Sequence, residues 1–208
     1  MKSTVKTTAL EQDAISLPIE THPFDPFLPD NTRILILGTF PPKENRWSMK
    51  FYYPNKINDF WRIMGLVFFD NRDRFINELD KTFRLDDIRA FLTERGIALC
   101  DTGFKVRRLQ DNASDKFLEI VEPVNLEELM GLIPTCKNLA TTGEKAAGVI
   151  SDLTGISAPK VGESITGVTP WGKELKIFRM PSTSRAYPLS LEKKAEQYEA
   201  MFREVGLL

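Results

Sequence analysis

RILILGTF, Arg33 to Phe40, is an apolar run short enough for one strand, ended by Gly38 and the pair Pro41–Pro42. Its apolarity is nearly continuous rather than alternating, which suits a strand covered on both faces, as in a parallel sheet. Three further runs have the same shape: GIALCDTG (Gly96 to Gly103), KNLATTG (Lys137 to Gly143) and KELKIFRMPS (Lys173 to Ser182). Helical patterns lie between them, at Asn58 to Val67, Arg72 to Arg95 with a break, Asn125 to Ile133 and Glu144 to Leu153. The chain closes on a helical pattern in which Leu191, Ala195, Tyr198, Met201, Phe202 and Val205 recur. The stretch from Gly162 to Trp171 reads as a turn-rich loop or hairpin leading into the last strand. Strands alternating with helices predict a three-layer α/β/α fold around a central parallel, doubly wound four-stranded sheet. Ligands bind such sheets outside the carboxyl ends of the strands, where strand order reverses. The segments GTFPP, DTGFK, TTGEK and PSTSR are therefore expected around one site.

The chain of 208 residues suits a single domain over residues 31–208, since domains usually run about 100–200 residues. Residues 1–30 carry Pro18, Pro23, Pro26 and Pro29, a spacing that opposes regular helix or sheet hydrogen bonding, and read as an extended arm packed on the domain. Hydrophobic residues make up 42% and charged residues 27%, and no apolar run approaches the roughly 18 residues of a membrane helix. The amino terminus shows no secretion signal, so a cytoplasmic location is expected. Cys100 and Cys136 are the only cysteines and His22 the only histidine, too few for an iron–sulfur cluster or a closed zinc site. No metal or cofactor is expected, and Cys100 reads as a buried free thiol. A net charge of −1 and a pI near 6.0 weigh against a large nucleic-acid surface, so any such contact should be local. A monomer is expected.

GTFPP after the first strand, FYYPNKINDFW beyond it and MPSTSRA after the last strand together resemble the uracil-DNA glycosylase superfamily, in particular its hypoxanthine-DNA glycosylase branch and related bacterial proteins. The resemblance runs from about Arg33 to the carboxyl terminus. It implies an enzyme that flips a deaminated base, uracil or hypoxanthine, out of DNA and hydrolyses its N-glycosidic bond. The chain departs from the best-known members twice: Phe40 and Pro41 stand in place of an acid, and Met180 in place of a histidine before Pro181 and Ser182. With His22 in the amino-terminal arm, a histidine-assisted mechanism is not expected.

By the same resemblance Asn58 is the candidate catalytic residue, an amide that orients a water beside the anomeric carbon, with Ser182 as a second catalytic candidate. Asn58 also precedes a helical pattern, where an N-cap role is worth about 1 kcal/mol, and Asn55 is the substitute one turn away. Gly38, Thr39, Phe40, Tyr53 and Asp101 are the base-binding candidates. Phe40 and Tyr53 offer stacking faces, whereas Phe60 and Trp61 read as cover for the sheet. Asp101 offers acceptors only, matching the N3–H of uracil or the N1–H of hypoxanthine but facing the adjacent carbonyl unfavourably; alternatively it binds backbone amides in a turn. Lys105, Arg107, Arg108, Ser184 and Arg185 are the candidate DNA contacts, with Arg185 a wedge for the gap left by a flipped nucleotide and Tyr187 or Leu189 its alternatives. A charge run is also commonly a solvated face. TTGEKAA and SDKF read as helix starts. Two rival readings are a catalytically inactive nucleobase or nucleic-acid binding module of the same fold, and a small-molecule nucleoside or nucleotide hydrolase.

Overall fold

A computed structural model describes residues 17–110 and 115–208. The central strand is β2 (Ile34–Gly38), every residue of which is buried. It pairs in parallel with β5 (Ile97–Asp101) and β8 (Asn138–Thr141), and β8 pairs in parallel with β10 (Glu174–Arg179). These are the four expected strands. A fifth, β9 (Ser164–Val168), runs antiparallel on the edge beside β10, giving the order β5-β2-β8-β10-β9. The turn-rich Gly162–Trp171 stretch thus supplies a sheet strand, half-exposed as an edge allows.

Alternate residues of β2 point to opposite faces and seed two cores. Ile34 and Ile36 pack with Phe60, Trp61, Phe91 and Phe202, from helices α1 (Phe60–Phe69), α2 (Leu85–Arg95) and α5 (Leu191–Val205). Leu35 and Leu37 pack with Leu129 and Ile150, from α3 (Leu126–Leu132) and α4 (Glu144–Thr154). Each such fully buried aliphatic side chain contributes roughly 1.5–3 kcal/mol. The result is three layers, as the sequence predicts.

Two segments differ from their sequence readings. Arg72 to Arg95 is helical only from Leu85; before it lies a short antiparallel hairpin of β3 (Ile76–Asn77) and β4 (Thr82–Phe83), turned by Lys81 in the left-handed region. The arm, described from Leu17 onward, does enter a sheet: β1 (Ile19–Thr21) pairs with β6 (Gly103–Arg108), which also pairs with β7 (Leu118–Pro123), in a second, antiparallel sheet. The prolines did not prevent this because the strand falls between Pro18 and Pro23, leaving three residues free to pair. Beyond it Phe27 bridges Leu99 on β5. Ser114 lies outside the described residues, and Asp115–Phe117 form a single 3-10 turn. No helix among the described residues is long and apolar enough to cross a membrane.

Candidate active site

The strand register aligns the carboxyl ends: Gly38 pairs with Asp101, Leu37 with Thr141, and Thr141 with Arg179. Strand order reverses between β2 and β8, so the crevice that such a reversal opens lies over Gly38–Phe40 and Thr141–Gly143. Backbone bonds hold the departing loops together. Thr142 donates its N–H to Leu37 O at 3.0 Å, Gly103 to Thr39 O at 2.9 Å and Met180 to Thr141 O at 2.9 Å.

Gly38 sits between Asp101 and Tyr53; a Cβ there would collide with Asp101 Oδ1 and come within 3.3 Å of the Tyr53 hydroxyl. That close approach requires glycine. Tyr53 adopts a left-handed φ of 51°. Its hydroxyl bonds Thr142 Oγ1 at 2.9 Å and its ring stacks on Phe60 at 3.8 Å, leaving one face at most for a base. Burial, then the Asp101 charge, push the Tyr53 pKa well up, so the hydroxyl stays protonated. Thr39 is buried and donates to Asp115 Oδ2 at 2.7 Å. Phe60 and Trp61 are fully covered in the core.

Asp101, at the end of β5, is 8% exposed. Its Oδ2 lies 2.9 Å from Nε2 of His22, whose side chain is 6% exposed. The histidine that sequence reasoning set aside in the arm is thus brought to the strand ends. Pairing of β1 with β6 and the His22 N–H bond to Phe104 O at 2.8 Å carry it there. Phe40 meets the imidazole edge-on at 5.2 Å, and Tyr52 stacks on it at 5.7 Å. Beside Phe40 a cavity of about 310 Å³ opens between the arm and the Pro41–Pro42 loop, bordered by Trp47 and Arg108.

Asn58 is half-buried and accepts the Phe60 N–H at Oδ1, 2.9 Å. The helix N-cap itself is Asp59, whose carboxylate makes no capping bond; Asn58 satisfies the first-turn N–H from one residue earlier. Asp59 instead holds the loop after β10. Its Oδ2 accepts from Lys194 Nζ at 2.9 Å, its Oδ1 from Arg185 Nε at 3.2 Å, and its own N–H donates to Thr183 O at 2.8 Å. Lys194 is fully buried and also donates to Ser184 O at 2.8 Å. Nearby Arg62 has its pKa lowered, by burial first and then by Arg185. Within the loop, Ser182 Oγ accepts the Ser184 N–H and Ser184 Oγ the Ala186 N–H, each at 3.2 Å. Met180 is buried.

The basic cluster is not gathered on one face. Strand alternation sends Lys105 and Arg107 to one side of β6 and Arg108 to the other. Each is matched by a carboxylate: Lys105 with Glu122 at 2.6 Å, Arg107 with Glu119 at 2.9 Å, Arg108 with Glu20 at 2.8 Å. Among the described residues no His, Cys, Asp and Glu side chains group as a metal-ligand set.

No protein-family profile matches the chain. It is 28% identical over 182 residues to a hypoxanthine DNA glycosylase of Methanosarcina acetivorans, covering 86% of this chain and 96% of that protein. It superposes with a TM-score of 0.61 on the solution NMR structure of a protein from the same organism, provisionally named a uracil DNA glycosylase, at 23% identity over 91% of this chain and 99% of that one. The chain has the uracil-DNA glycosylase-like fold. The resemblance carried by GTFPP, FYYPNKINDFW and MPSTSRA therefore stands. On this fold His22, Asp59 and Lys194 are the residues that sequence reasoning did not place at the site. The one available signal was for His22, the sole imidazole in a chain with an aspartate ending its second core strand.

Proposed function

We propose that this protein is a monofunctional DNA glycosylase, which flips a deaminated base, uracil or hypoxanthine, and hydrolyses its N-glycosidic bond. The observation that carries the reading is the convergence of Asp101, Gly38 and Tyr53 at the strand-order reversal of a uracil-DNA glycosylase-like fold. The likeness to a hypoxanthine DNA glycosylase supports it. An acceptor at Asp101 matches the ring N–H next to the carbonyl that deamination creates, and the partly exposed ring of Phe40 offers a stacking surface.

Asn58 is the residue assigned to the water. Its Oδ1 already takes the Phe60 N–H, which fixes the amide plane. The second lone pair of that oxygen accepts a water O–H, turning the water's own lone pair toward the anomeric carbon. An amide is no strong base, so the scheme requires a dissociative, oxocarbenium-like transition state in which the base departs with negative charge. Lys194, held by Asp59 and Ser184 O, is unavailable as a Schiff-base nucleophile, which agrees with base release without strand cleavage.

The test is a panel of duplex and single-stranded oligonucleotides bearing uracil, hypoxanthine or xanthine, treated with alkali to reveal abasic sites. Release of a deaminated base is expected; release from none refutes the proposal. Binding without release would favour a catalytically inactive module, a reading that the apolar Met180 favours. Release from free nucleosides alone would favour a small-molecule hydrolase.

A further inference from the structure

On the glycosylase reading, Asp101 poses an electrostatic problem: a buried carboxylate that recognises a base also repels it as it leaves with negative charge. The surroundings of His22 answer it. Both ring nitrogens face oxygens, Nε2 toward Asp101 Oδ2 at 2.9 Å and Nδ1 toward Phe24 O at 2.8 Å. A carbonyl oxygen only accepts, so Nδ1 must carry a proton to bond it, and an ionised Asp101 requires one on Nε2 as well. A neutral Nε2–H tautomer would instead accept the Phe24 N–H, at the longer 3.2 Å, and leave two lone pairs opposed at 2.8 Å. The stacked Tyr52 ring suits a cation, and burial keeps its hydroxyl protonated.

We propose that His22 is a positioning residue for base recognition, an imidazolium that fixes Asp101 and offsets its charge while the base departs. Asp101 then keeps Oδ1, the oxygen against Gly38, for the ring N–H of the base. The arm thereby becomes part of the active site, through one strand and one side chain. This rests on the glycosylase reading for its kinetic consequence only; the protonation of His22 is a property of the folded protein alone.

Two measurements separate these. His22 is the sole histidine, so ¹⁵N-histidine labelling gives one imidazole whose two nitrogen shifts report its protonation directly. Both nitrogens protonated in the native protein at pH 7, and reverting to one in Asp101→Asn, is the expected result. A neutral tautomer in the native protein overturns the proposal whether or not any base is released. Single-turnover rates then test the compensation. His22→Gln keeps a donor for Asp101 but no charge, and is expected to slow base release about tenfold or more with unchanged DNA affinity. Adding Asp101→Asn removes the charge that needs compensating, so the double variant should be faster than His22→Gln alone. Urea unfolding of each variant guards against loss of fold. A double variant as slow as or slower than His22→Gln, with all variants folded, overturns the compensation.

Discussion

Replacing Asp59 with Asn keeps the shape of the side chain and removes the one carboxylate that, among the described residues, pairs with the fully buried ammonium of Lys194. After the change Lys194 Nζ retains Ser184 O at 2.8 Å and an amide oxygen in place of the carboxylate. Arg185 loses its partner too, and Arg62, whose charged form burial and Arg185 already disfavour, loses a compensating charge. Taking one member from a buried pair costs about 3–5 kcal/mol, because the partner is left uncompensated. Arg185 adds little, since its side chain is 47% exposed and pairs of that kind are worth about 0–1 kcal/mol. We therefore expect Asp59→Asn to lose about 3–5 kcal/mol in urea unfolding, a large part of the total of about 5–15 kcal/mol typical of a domain. Lys194→Met should cost less, because Asp59 keeps Arg185. The midpoint should fall with the slope unchanged. A loss below about 1 kcal/mol would show that water reaches the pair, and would remove the argument that Asp59 anchors the loop after β10.

Asn58→Ala should slow single-turnover base release at least about tenfold, equivalent to about 1.4 kcal/mol of barrier, while stability drops only by the roughly 1 kcal/mol of a lost first-turn bond; a loss of rate accounted for by unfolding would make the residue structural. Asp101→Asn should shift relative rates toward uracil, because an amide supplies a donor for O4, and an unchanged ratio of uracil to hypoxanthine rates removes Asp101 from base choice. Arg185→Ala should slow release from duplex more than from single-stranded DNA if the side chain fills the vacated stack; equal loss on both identifies a phosphate contact. Cys100, whose thiol pKa burial pushes up to about 12 with help from Asp101, should resist thiol reagents in the folded protein at pH 8 and react on unfolding. Rapid native labelling would refute that burial.

The sequence made the sheet legible where its pattern was strong. Continuous apolar runs ended by Gly or Thr mark β2, β5 and β8, because strands buried on both faces leave little other pattern; β10, ELKIFR, interleaves charged residues with buried Leu175, Ile177 and Phe178, and is marked by the Met-Pro-Ser that ends it. The edge strand β9, SITGV, has neither continuity nor clean alternation, since one margin faces solvent and little of it is buried. Phe75, Ile76 and Leu79 fall at spacings a helix would also show, which hid the β3–β4 hairpin. The positions of Gly38, Asp101 and Ser182 followed from the strand ends. Their partners did not: His22 meets Asp101 across 79 residues, and Asp59 meets Arg185 and Lys194 across 126 and 135. No local period encodes such pairs.

The same topology limits what His22 can replace. Superfamily resemblance leads one to look for an imidazole in the loop after β10, where this chain has the buried Met180. His22 stands at the end of β5, and in the order β5-β2-β8-β10 those two strands are three spacings apart. At about 4.8 Å per spacing that is about 14 Å across the sheet, well beyond the span of one base ring. An imidazole at β5 therefore cannot perform the task of one at β10. On the proposed reading it acts through Asp101 instead, while the loop after β10 is ordered by the Ser182 hydroxyl and by Asp59 with Lys194. On this geometry, grafting histidine by Met180→His would add a second imidazole rather than duplicate the first, and its effect should persist when His22 is replaced.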